Sequence, residues 1–321
     1  MIRLLVAAFA VVACWGALPA PSRADAVSVR AKPLVLDNAD PERRRVGRLE
    51  WRGGVELTSS DPRFGGLSAL RIAADGARFI AISDVGWRVE GRLLFGSDGR
   101  LAGVEQVSLV PLLSRRGRAL SELGKHESDA ESLVLLPDGG ILVGFEGDDR
   151  IVRYPPGGGP ASLFAAPPGL QKAPSNAGLE TLVRLADGRL LAITEGLEAG
   201  DGVRGWISGK KGAWQPFVWR TSGGFVPTDA TQLPSGDVLV LERRFPPVGA
   251  RLRLLPVAAI KAGAVLDGSE IARLEGSLQV DNMEGIDART GPNGETEIVL
   301  VSDDNYSFLQ RTLLLMFRLV E

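Results

Sequence analysis

The feature that most constrains this chain is one pattern repeated five times: a short apolar run, a glycine-containing turn, a second apolar run, then an acidic residue. The copies read GGLSALRIAADGARFIAISD (Gly65–Asp84), DAESLVLLPDGGILVGFE (Asp129–Glu146), GLETLVRLADGRLLAITE (Gly178–Glu195), PTDATQLPSGDVLVLE (Pro227–Glu242) and NMEGIDARTGPNGETEIVLVSD (Asn282–Asp303). Their turn glycines, Gly76, Gly139, Gly188, Gly236 and Gly294, follow Asp, Ser or Asn. Such pairs supply the positive φ angles of tight hairpins. The flanking runs are rich in Val, Ile, Leu and Ala, as strands buried on both faces require. Further strand candidates lie between the copies: Arg92–Phe95, Val104–Val110, Ile151–Tyr154, Trp214–Trp219 and Leu252–Leu255. No long helical periodicity is present; Val257–Ala264 has room for a turn or two of helix.

A repeat of roughly 47–63 residues with about four short strands is a β-propeller blade. The fold expected is therefore all-β, a single propeller with five repeats read directly. The last repeat offers only three strands, ending with Leu313–Leu319, while Val46–Leu57 has no partner before the first hairpin. That N-terminal run is expected to add the missing outer strand and close the ring. The alternative is a sixth, degenerate blade hidden in Val27–Leu57 and the long connections. A β-sandwich accommodates short strands but leaves the fivefold recurrence unexplained.

Residues 1–24 are set apart from the fold. Arg3 is followed by an apolar run from Leu4 to Ala13, and Ser22-Arg23-Ala24 ends in small residues, the layout of a secretory signal peptide. The division expected is 1–24 signal peptide, 25–45 N-terminal extension and 46–321 propeller, with a periplasmic or secreted product. Lipid anchoring through Cys14 is the alternative, although the apolar segment before it is short. No later stretch is long and apolar enough to span a bilayer. With 37 Lys and Arg against 39 Asp and Glu, the chain has no basic footprint for nucleic acid. One His and one Cys exclude metal sites built on imidazole or thiolate. A site here must use carboxylates, amides, hydroxyls, Arg or Lys.

The propeller gathers the recurring acids. Residues that begin an innermost strand and residues that end the next strand meet on one face, around the central channel. Ser68, Glu131, Glu180, Asp229 and Glu284 lie seven to ten residues before their turn glycines. Asp84, Glu146, Glu195, Glu242 and Asp303 lie six to nine after them, with Asp129, Asp148, Asp149 and Asp304 close by. So much like charge in one place is costly without compensation. A hard cation held by oxygen ligands compensates it, and Ca²⁺ tolerates irregular loop geometry. Asn176, Asn282 and Asn305 would add amide oxygens. The plainer alternative is that individual acids cap loops or pair with Arg88, Arg150, Arg243, Arg244 or Lys125.

The segments DAESL…GFEGDDRI, NAGLETL…ADGRLLAITEG, LERRF (Leu241–Phe245), NMEG (Asn282–Gly285) and SDDN (Ser302–Asn305) resemble the bacterial phytase-like propellers, the "esterase-like activity of phytase" family. The resemblance runs from Gly65 to Phe317. It implies an exported propeller distantly akin to calcium-dependent phytases, with esterase or phosphatase-like activity. The family's acidic positions match Asp84, Glu131, Glu146, Glu180, Glu195, Glu242, Glu284 and Asp303. Two departures stand out: Ser68-Ala69 replaces any acid in the first repeat, and the fourth carries Asp229 where others have Glu.

The function expected is metal-dependent hydrolysis of a small phosphoester or related ester by a monomer. Glu131, Glu180 and Glu284 are the candidate inner ligands and acid–base groups; Glu146, Glu195, Glu242, Asp84 and Asp303 are candidate further ligands or orienters. Arg243 and Arg244 are candidate anion holders. His126, the sole imidazole, is either a proton shuttle at the mouth or a surface residue. A serine hydrolase is excluded by the absence of Gly-x-Ser-x-Gly. Two rival functions remain: a non-catalytic binding propeller holding a structural ion, and a lactonase or carboxylesterase of the gluconolactonase kind. The aromatic group Trp206, Trp214, Phe217 and Trp219 reads as packing of the third repeat, while Trp87, near Asp84, is a candidate for the mouth.

Overall fold

The structure is a computed structural model that describes residues 24–209 and 212–321. The signal segment up to residue 23, Cys14 included, lies outside the described residues. Among the described residues no helix is long and apolar enough to cross a membrane.

Five antiparallel sheets form the blades of a propeller. Their innermost strands are Leu67–Ile72, Ala130–Leu135, Leu179–Arg184, Val226–Gln232 and Asn282–Thr290, in blades one to five. Each returns through a tight turn to a second strand: Arg78–Ser83, Ile141–Phe145, Leu190–Ala199, Val238–Arg244 and Thr296–Asp303. The five turn glycines have φ between 71° and 97°. In every case the glycine N–H donates to the carbonyl three residues earlier, as from Gly139 to Leu136 or Gly236 to Leu233. That shared geometry is the physical content of the repeat.

The apolar runs are unbroken because each sheet is covered on both faces. Five clusters of buried residues lie between successive blades: Leu133, Val143 and Val152 of blade two meet Ala69 and Ile82 of blade one. Leu241 and Leu252 of blade four meet Ile286, Leu300 and Leu315 of blade five. Innermost strands of neighbouring blades touch all the way round, including five to one.

The ring is closed as the sequence leads one to expect. Leu49–Ser59 pairs antiparallel with Thr312–Leu319, Val55 opposite Leu314, and becomes the outer strand of blade five. No sixth blade forms among the described residues. The segment proposed for it braces the closure instead. Val29–Pro33 pairs outside Leu49–Ser59, Asp25–Ala26 pairs with the outer strand of blade one, and Leu36 is buried between blades four and five. Trp206, Phe217 and Trp219 are buried in and beside blade three, whereas Trp87 packs toward the core of blades one and five under the Arg63 guanidinium. Val257–Ala259 makes one 3-10 turn, and the connection from blade one to blade two holds a single helical turn, Lys125–Ser128.

Candidate metal centre at the channel mouth

Every inner hairpin carries a register shift near the start of its first strand. The extra residue of this bulge is Ser68, Glu131, Glu180, Thr228 or Glu284 in blades one to five. A bulge re-aims its side chain out of the pleat, and here it presents Glu131, Glu180 and Glu284 to the mouth of the central channel. Facing them at the ends of the second strands are Asp84, Glu146, Glu195, Arg243 and Asp303. The register fixes this set: the N–H groups of Asp84, Glu146 and Glu195 donate to the carbonyls of Gly66, Asp129 and Gly178, while Arg243 pairs with Val226 and Asp303 with Asn282.

The fourth repeat therefore differs from the expected acid pattern at two positions. Thr228 occupies the bulge, its hydroxyl donating to the Met283 carbonyl at 3.0 Å. Asp229 lies one residue further down the channel, fully buried, where it accepts from Arg71 at 2.7 and 2.9 Å and from the Ile286 N–H at 2.9 Å. Glu242 points between blades rather than into the mouth. It accepts from the Trp219 indole at 2.8 Å, Arg251 at 2.5 Å and Arg253 at 3.1 Å. Arg244 also leaves the mouth, pairing with Glu275 at 2.7 Å and stacking over Phe225. His126 is exposed on the single helical turn beside Gly147. Glu242, Arg244 and His126 thus lie outside the group that the fold brings together.

That group surrounds a cavity of about 180 Å³ lined by Asp84, Glu131, Glu146, Glu180, Glu284 and Asp303, by Asn176, Asn282 and Asn305, and by Lys125 and Arg243. Arg243 occupies the place of a fifth acid and ties the rim together: it donates to Glu195 at 2.7 Å and Asn282 at 2.8 Å, with its Nε 3.3 Å from Glu284. Despite the cost of burial, Glu284, Glu195 and Glu180 hold its pKa above the usual arginine range. Lys125 lies 3.5 Å from both Asp84 and Asp129. Two cations do not neutralise the acids. Burial, reinforced by neighbouring carboxylates, pushes Asp84 up to about 6, Glu146 and Asp303 to about 7 and Glu284 to about 8. Burial and mutual repulsion hold Glu131 and Glu180 well above the ordinary carboxylate range.

Glycines let the chain approach these acids. Gly178 donates its N–H to Glu146 at 2.7 Å, and a Cβ there would meet Asp149 Oδ1 at 2.3 Å. Gly66, at φ 60°, would bring a Cβ within 2.2 Å of Asp84 Oδ1.

Over residues 62–306 the chain matches the phytase-like family described as "esterase-like activity of phytase". The chain belongs to this family. No curated protein matches it. Among solved structures, this phytase-like chain is similar to virginiamycin B lyase from Staphylococcus aureus, at TM-score 0.42 and 11% identity over 87% of each chain. It is also similar to a gluconolactonase from Xanthomonas campestris, at TM-score 0.44 and 10% identity over 93% of this chain and 98% of that one.

The donor set of this phytase-like mouth fits a divalent cation. One carboxylate oxygen each from Asp129, Glu131 and Glu146 lie within 4.8 Å of one another. Asp84 Oδ1, Asp149 Oδ1 and Glu284 Oε2 are buried without a hydrogen-bond donor. Carboxylate and amide oxygens without imidazole or thiolate suit a hard ion.

Proposed function

We propose that this phytase-like propeller is an exported, calcium-dependent hydrolase of small phosphoesters, acting at the acidic mouth. The observation that carries the reading is the convergence of carboxylates from four blades on one small cavity, two of them, Asp84 and Glu284, with a buried oxygen that no donor satisfies. Asp129, Glu131 and Glu146 would hold the ion, with Asp84, Glu180, Glu284 and Asp303 around it. Such an ion supplies charge neutralisation at a phosphoryl oxygen.

The chain's own residues divide the remaining work. Arg243, fixed by Glu195 and Asn282, orients Glu284 and adds a guanidinium to the cavity. Glu284, whose carboxyl burial pushes up to about 8 in the ion-free chain, lines the cavity beside the ion and is the candidate to deliver a proton to a leaving oxygen. Glu180, buried beside it, is the candidate to orient or deprotonate water. The size of the cavity suits one phosphoryl group rather than a polyphosphate. Residues 1–24 would direct export before this site meets its substrate.

Turnover of p-nitrophenyl phosphate and p-nitrophenyl acetate, with calcium and with EGTA, tests this. Calcium-dependent release from the phosphate, abolished in Glu180→Gln with the fold intact, is the expected outcome. Metal-dependent turnover of the acetate alone would favour a carboxylesterase or lactonase, and turnover of neither a binding propeller.

A further inference from the structure

A second, larger cavity of about 830 Å³ opens between the outer strands of blade two and the connection that leads to it from blade one. The chain leaving blade one at Pro111 folds into it: Leu113 pairs with Ala119 and with Pro160, and the Ser114–Arg118 turn is closed by Ser114 N–H donating to Arg118 at 2.7 Å. Blade two leaves space for it because its outer strand, Ser162–Phe164, has only three residues. The walls are apolar, from Leu113, Leu120, Leu123, Val152, Ala161 and Leu163.

Charge is distributed unevenly within this groove. Arg115, Arg116 and Arg118 line it, and among the described residues none of these side chains has an ion-pair or hydrogen-bond partner. Arg150, in contrast, is committed to Asp148 and to the Glu127 carbonyl. Tyr154 is 2% exposed, lines the cavity, and its hydroxyl has no hydrogen-bond partner. Guanidinium groups without partners beside an apolar wall are the chemistry of a ligand site for an anion with an apolar body.

We propose that this groove binds an amphipathic organic anion: an aromatic or alkyl body held against Leu113, Leu123 and Leu163, its phosphate, sulfonate or carboxylate held by Arg115, Arg116 and Arg118. The site uses none of the residues of the acidic mouth, so its binding is independent of calcium.

The test is a fluorescence titration of the whole protein with anilinonaphthalene sulfonate in EGTA, followed by competition. Naphthyl phosphate should displace the probe, whereas neutral naphthol and inorganic phosphate should compete at least about tenfold more weakly, because each lacks one half of the recognition. The triple change Arg115→Ser, Arg116→Ser, Arg118→Ser should weaken the probe about tenfold or more, with melting temperature and calcium binding unchanged. Leu163→Glu, on a side chain 58% or so exposed, should weaken it without touching the arginines. Equal competition by naphthol, equal binding to the arginine variant, or loss of binding only in mouth variants such as Glu131→Gln would overturn the proposal.

Discussion

With any bound cation removed by EGTA, raising the pH should destabilise this protein, and Asp303 sets the scale. Its carboxyl is buried and its pKa moves from 3.8 to about 7, first through burial and then through repulsion from Asp84. A carboxyl that binds its proton more tightly folded than unfolded stabilises the native state below its unfolded pKa. That contribution is lost as pH rises through the folded value. Three units at ~1.4 kcal/mol each give about 4 kcal/mol between pH ~4 and pH ~8. Glu284 and Glu146 shift the same way, but they share the cavity, so their contributions overlap rather than add. For a chain of this length, 4 kcal/mol corresponds to a fall of about 6 °C in melting temperature. Calcium at a hundredfold excess over its Kd should restore about 3 kcal/mol at high pH, because it favours the ionised carboxylates. The assay is calorimetry across the pH range in EGTA and in calcium. A melting temperature that stays level or rises with pH in EGTA, up to pH ~8, would refute the electrostatic reasoning.

Three further outcomes follow from contacts away from the cavity or on its rim. Arg71→Met should cost about 3–5 kcal/mol, since it strands buried Asp229 and removes donors to Leu70, Leu182 and Ile286, a crosslink spanning four blades; chemical denaturation measures it. Glu242→Gln should destabilise by a few kcal/mol through Trp219, Arg251 and Arg253 while calcium affinity stays unchanged, which titration calorimetry separates from a ligand's behaviour. Gly178→Ala should weaken calcium at least about tenfold, because its Cβ would drive Asp149 and Glu146 from their places; unchanged affinity would remove Gly178 from the rim.

The fold was legible because its repeat is local. Five turn glycines with the same backbone hydrogen bond, and apolar runs long enough for two-sided burial, need no tertiary information. Closure by the N-terminal strand was legible as a count of three strands where four were due. The gathering of acids at one mouth was legible except where acidity rather than spacing was followed. Ser68, Glu131 and Glu180 each stand eight residues before their turn glycine, and the same count from Gly236 lands on Thr228, not Asp229. Glu146 and Glu195 stand seven after theirs, and that count lands on Arg243, not Glu242. A slip of one residue in a strand moves a side chain to the opposite face. So Glu242 meets Arg251 and Arg253 between blades, and Asp229 meets Arg71 inside the channel. Those partners are distant in sequence, as is the Pro160 edge that shapes the arginine groove. Neither periodicity nor turn chemistry encodes such meetings.

The acidic mouth stands or falls as a cation site on one measurement: the calcium content of the purified, exhaustively dialysed protein by elemental analysis, beside the Asp129→Asn, Glu131→Gln, Glu146→Gln variant. At least one equivalent per chain in the parent and none in the variant is the result the geometry requires. Equal content in the two, or none in either when calcium is supplied, would contradict it.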